Sequence, residues 1–160
     1  MANTLEVDIK GIAELQLLLL NLPKRVARNG LRAAVYAAAK VISDEAKLRA
    51  PVYKGKVAAG HPPPGTLKRS IITKQIPEKS NDFRQTFYVT VRKGKKYQKQ
   101  GKKGNLSQDA YYAKWVEYEY GKHGSPAHPF LRPAFDIKAR DAADAMKNRL
   151  AQRIEEEFRK

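Results

Sequence analysis

Apolar residues along the chain fall at helical spacing in three stretches and at alternating spacing in others, with proline and glycine marking the changes. Gly11–Leu20 predicts a short apolar helix, broken by Asn21-Leu22-Pro23. Pro23 suits the first position of a second helix, where a missing N–H costs nothing. From there Ala27, Leu31, Ala34, Val35, Ala38, Ile42 and Ala46 recur at helical spacing up to Ala50. Pro51 disfavours α geometry at Ala50 and ends the helix. At 1.5 Å per residue this is a rod of roughly 40 Å. Its stripe is mostly alanine, so another backbone can approach closely.

Residues 52–65 are dense in glycine and proline and predict a loop. Ile71–Ile76 predicts a strand, Pro77–Asp82 a turn, and Phe83–Arg92 a second strand with Phe83, Phe87, Val89 and Val91 on one face. The two make an antiparallel hairpin. Ala110–Tyr120 carries aromatics on both faces, and the alternation of Val116, Tyr118 and Tyr120 with Glu117 and Glu119 favours a strand entered by a helical turn. After a Gly/Pro-rich turn at Gly121–Pro129, Phe135, Ala139, Ala142, Ala143, Met146, Leu150, Ile154 and Phe158 repeat the helical spacing. Helix, strands, helix argues an α+β fold: two long alanine-striped helices packed on a small, mainly antiparallel sheet, with long basic loops. A length of 160 residues suits one domain.

Charge changes the picture. Lys+Arg 32 against Asp+Glu 16 leaves +16, and the segment 51–104, with 14 basic and 2 acidic residues, holds +12 of it. Arg92, Lys93, Lys95, Lys96, Lys99, Lys102 and Lys103 lie together without an acid, among glycines and glutamines. Residues 93–108 predict a mobile basic loop. It is either a polyanion contact favoured by counterion release or a solvated loop that aids solubility.

Candidate chemistry is sparse. The chain has no cysteine, which excludes a disulfide framework, a thiolate zinc site and a cysteine nucleophile. His61, His123 and His128 sit beside Gly and Pro and do not make a ligand set, so no metal and no cofactor is expected. Neither a phosphate-binding glycine loop nor a nucleophile elbow is present. Ser70 and Ser125 have no visible base partner, and Glu117 with Glu119 reads as strand-surface charge engaged in salt bridges, so no catalytic residue is assigned. No apolar run approaches the ~18–20 residues that span a bilayer, and Met1–Lys10 lacks the marks of a secretory signal, so a cytosolic chain without membrane contact is expected.

Several segments in their order carry a resemblance: Ala50-Pro51-Val52, Gly65-Thr66-Leu67-Lys68-Arg69-Ser70-Ile71, Tyr112-Ala113-Lys114-Trp115-Val116-Glu117-Tyr118, and Pro126-Ala127-His128-Pro129-Phe130-Leu131-Arg132-Pro133-Ala134-Phe135. Together they resemble the neck or tail-completion proteins of long-tailed phages, of the HK-ninety-seven gene-product-ten type, similar to minor tail protein Z of lambda-like phages. The chain departs from that pattern where Glu119 and Tyr120 precede Gly121 and Lys122 replaces a threonine.

The resemblance implies a non-enzymatic virion protein, acting as an oligomeric ring at the head–tail junction and present in host cytoplasm during assembly. Its implied partners are itself, tail terminator, tail tube or head-connector proteins, and DNA in the lumen. Trp115, Glu117, Tyr118, Phe130, Leu131 and Arg132 are the interface candidates, since aromatics and arginine commonly anchor interfaces. Phe130 and Leu131 could equally plug the domain's own core. The alternative function, from charge alone, is a stand-alone basic nucleic-acid-binding protein.

Overall fold

The computed structural model describes residues 12–20, 23–55, 62–92, 110–118 and 126–159. The order is α1 (Ile12–Leu20), α2 (Lys24–Arg49), α3 (Thr66–Ser70), β1 (Ile71–Gln75), a 3-10 turn (Pro77–Lys79), β2 (Phe87–Val91), α4 (Ala113–Tyr118) and α5 (Leu131–Phe158). This is an α+β fold with two long helices and a two-stranded antiparallel sheet. No described helix is long and apolar enough to cross a membrane.

Two backbone bonds fix the hairpin register: Ile76 N–H to Thr86 O at 2.9 Å and Arg92 N–H to Ser70 O at 2.8 Å. They set Ile71 opposite Val91, both buried. The second strand is shorter than its alternation suggested. Phe83 lies outside it and is exposed, because the preceding chain is held by side chains instead. Ser80 Oγ donates to Ile76 O at 2.7 Å and accepts from Thr86 N–H at 3.0 Å, while Asn81 Oδ1 accepts from Phe83 N–H at 2.9 Å. Such local bonds offer the backbone an alternative to the ladder.

Two compact units divide the chain: Met1–Ile42 with Thr73–Tyr88 and Ile137–Lys160, and Ser43–Ile72 with Val89–Asp136. In the first, Gly30 of α2 meets α5 so closely that a methyl there would sit 3.7 Å from Arg153 Cβ and 3.8 Å from Leu150 Cδ1. Tyr36 packs on Phe87 with ring centroids 5.8 Å apart. The buried positions of α2 in this unit are Ala27, Gly30, Ala34 and Ala39, whereas Leu31, Val35, Ala38 and Ile42 are half-buried. Only glycine and alanine thus take the buried positions, and the bulkier Leu31, Val35 and Ile42 flank them. At the ends of the α5 stripe Phe135 and Phe158 are exposed, and Ala142 and Ile154 carry the burial.

The second unit has a core of Ala46, Ala50, Leu67, Ile71, Val91, Ala110, Ala113, Phe130 and Ala134. Phe130 is its largest fully buried side chain. Burying a phenylalanine contributes about 1.5–3 kcal/mol. Leu67 enters this core from α3, a short helix directly ahead of β1. Gly65 starts it in the left-handed region at φ 77°. Thr66 Oγ1 then donates to Pro63 O at 2.6 Å.

The segment 113–118 is a helix and not the expected strand. Ala110, Ala113 and Glu117 are buried at helical spacing, with Val116 packed beside them. What decides the outcome is non-local: Glu117 reaches groups 13 to 15 residues further on.

Candidate functional site

The loop 126–130 rises onto α4 through His128 N–H, which donates to Val116 O at 2.8 Å. It delivers the first residues of α5 to Glu117. The carboxylate Oε2 accepts the N–H groups of Phe130 at 2.8 Å and Leu131 at 3.0 Å. Oε1 accepts Arg132 N–H at 3.1 Å and Arg132 Nε at 3.2 Å. The first N–H groups of any helix lack intrahelical acceptors and carry the positive end of its dipole. Glu117 satisfies three of them at once for a 28-residue helix.

Glu117 is therefore not the surface charge that its alternation with Val116 and Tyr118 suggested; only 2 % of it is exposed. The salt bridge expected of it does form, with Arg132. Burial by itself would raise the carboxyl pKa. The N–H groups of Leu131, Phe130 and Arg132, together with the Arg132 guanidinium, outweigh that and hold it below the usual carboxylate value. The group stays ionised.

Outside this clamp lies an aromatic surface. Tyr111, Trp115 and Tyr118 follow one another at i, i+4 and i+7, on one face of α4 and the turn before it, and all three are exposed. Tyr111 stands edge-on to Trp115 at 5.8 Å and 87°. Arg132 lays its guanidinium over the Tyr118 ring at 4.8 Å, while its Nη2 donates to Glu117 O at 2.9 Å. That arginine is thus held in one orientation by contacts within the chain. Tyr112 points the other way, against the core, and burial raises its hydroxyl pKa despite a backbone hydrogen bond at Leu67.

Of the residues expected at an interface, Trp115, Tyr118 and Arg132 stand together at the surface, with Trp115 42 % and Tyr118 59 % exposed. Phe130 and Glu117 lie inside this chain, and Leu131 packs against its core. Tyr111 belongs to the same surface and was missed. Its spacing to Trp115 and Tyr118 marks it once the segment is taken as helical. In the basic run, Arg92 is exposed, and Lys93, Lys95, Lys96, Lys99, Lys102 and Lys103 lie outside the described residues, as does the rest of the expected mobile loop at 93–108. His128 is exposed, and no group of three or more potential metal ligands occurs among the described residues.

The α+β chain thus carries an exposed aromatic and arginine surface backed by a buried carboxylate. Residues 14–118 match the HK97-gp10-like family model, described as "Bacteriophage HK97-gp10, putative tail-component". The chain belongs to this family of phage tail components. Comparison with curated proteins and with solved structures gives no match.

Proposed function

We propose that the chain is a non-enzymatic tail-completion or neck subunit that joins head to tail as an oligomeric ring. Family membership supports a role in virion assembly. The observation that carries the finer reading is the surface of Tyr111, Trp115, Tyr118 and Arg132, which has the composition of an interface hot spot and is backed by the Glu117 clamp. In this reading these residues meet a neighbouring subunit or a tail or connector protein. A ring repeats the contact at every subunit, so a modest pairwise affinity suffices. The basic run from Arg92 to Lys103 faces a polyanion, with DNA in the lumen as the natural candidate.

Deleting the gene from its phage and imaging the lysate by electron microscopy tests the role. Filled or fillable heads beside separate, finished tails are expected. Intact infectious particles would overturn the joining function.

A further inference from the structure

Within the unit that holds the first part of α2, a cleft of about 630 Å³ opens between α2, the sheet and the end of α5. Val26, Ala33, Tyr36 and Phe87 give it apolar walls, and Arg25 and Arg32 stand at its border. A second recess of about 250 Å³ adjoins it, since Asn29, Arg32 and Gln75 line both. That recess is polar, with Arg28 and the amides of Asn81 and Gln85 on its wall.

Arg25, Arg28 and Arg32 therefore follow one side of α2 along a continuous groove. Arg28 is bridged to Asp82 at 3.5 Å, and Arg153 to Glu156 at 2.8 Å. Among the described residues Arg25 and Arg32 have no acidic partner. Two guanidinium groups without a salt bridge, beside apolar walls, suit a ligand that is acidic and also carries an apolar side chain. Nucleic acid fits less well, because its backbone carries a charge at every nucleotide and cannot avoid Glu156 and Glu157 in the same cleft. A peptide can set its carboxylates at Arg25 and Arg32 and an apolar side chain between them.

We propose that this groove docks an extended acidic peptide segment of a partner protein, with one large apolar side chain seated against Tyr36 and Phe87 and flanking carboxylates paired with Arg25 and Arg32. Arginine suits this task because its planar fork binds a carboxylate through two parallel hydrogen bonds. The surface is separate from the α4 aromatics, so its test does not depend on the head–tail reading.

The probe is a fluorescein-labelled peptide, Asp-Glu-Phe-Glu-Asp, titrated with the full chain at 0.15 M salt and followed by polarisation. Arg25→Gln with Arg32→Gln is the cleft variant; glutamine keeps helix propensity, and thermal melting checks the fold. Lys54→Gln with Lys68→Gln, at exposed positions outside both the cleft and the basic run, removes the same charge elsewhere. The cleft variant should weaken binding about ten-fold and the lysine variant less than about two-fold. Replacing the peptide's Phe by Ala should cost roughly five-fold or more. Equal losses in both variants would reduce the effect to diffuse charge and overturn the proposal. So would no binding by the unaltered chain, no loss on replacing the Phe, or tighter binding of a thymidine oligonucleotide that the cleft variant abolishes.

Discussion

Glu117 and Arg132 hold each other through three hydrogen bonds: the carboxylate Oε1 accepts Arg132 N–H at 3.1 Å and Nε at 3.2 Å, and Arg132 Nη2 donates to the Glu117 carbonyl at 2.9 Å. One partner is buried and the other is exposed at the surface, with side-chain exposures of 3 % and 56 %. The pair thus links the start of α5 inside to the aromatic surface outside.

The burial difference makes the two substitutions unequal. Glu117→Ala strands the N–H groups of Phe130, Leu131 and Arg132 and should destabilise the chain by about 2–3 kcal/mol. Arg132→Gln removes a solvent-screened partner and should cost under ~1 kcal/mol. Urea midpoints of the two variants check this; equal losses would mean the clamp is not what holds the helix start.

The same carboxylate gives a pH dependence with a definite sign. Its pKa in the folded chain lies below the ordinary value of 4.5, so its contribution to stability is complete above that value. It is lost as pH falls through the folded pKa, because protonation stabilises the unfolded chain relative to the folded one. The stability gap between the unaltered chain and Glu117→Gln should therefore be constant near neutrality and narrow on acidification below 4.5. A gap that widens on acidification would contradict the hydrogen-bond geometry.

Gly30 offers a stabilising change. It lies inside α2, where glycine costs about 0.8–1 kcal/mol relative to alanine. The methyl would meet Arg153 Cβ at 3.7 Å and Leu150 Cδ1 at 3.8 Å, both ordinary contacts. Gly30→Ala should raise stability by about 0.5–1 kcal/mol. By contrast Ala34→Leu, at a position with no exposed surface, should overpack and cost roughly 1–3 kcal/mol. Thermal melts of both variants should move in opposite directions.

Residues whose fate is decided locally were legible. Pro51 ends α2, Pro23 precedes it, and the alternation from Phe87 to Val91 is that of a strand edge of the core. The apolar spacing of α5 located the helix, but it gave Phe135 and Phe158 to the buried stripe although the structure exposes them. Glu117 was the least legible residue of the site. In a short segment with aromatics on both faces, period two and period four are hard to separate. A carboxylate that pairs with backbone groups 13 residues away leaves no mark in its own neighbourhood. Once α4 is helical, Tyr111, Trp115 and Tyr118 fall into line, and the surface they form becomes apparent.

That surface supplies the prediction that separates folding from assembly. Phe130 has no exposed surface and fills the core, so Phe130→Ala should cost about 3–5 kcal/mol and impair the isolated chain itself. Trp115 and Tyr118 are exposed, and replacing both with alanine should change the melting midpoint of the isolated subunit little. If they anchor a contact, the double variant should nonetheless fail in assembly, since truncating an interface hot spot commonly costs 2 kcal/mol or more. Complementation of a deletion phage, scored by plaque yield and by electron microscopy of the lysate, reads assembly; a melt of the purified subunit reads folding. A near-normal melt with separated heads and tails is the expected pair of results. Normal particles from the Trp115 and Tyr118 double variant would show that this surface does not join the subunit to its neighbours, whatever the deletion itself does.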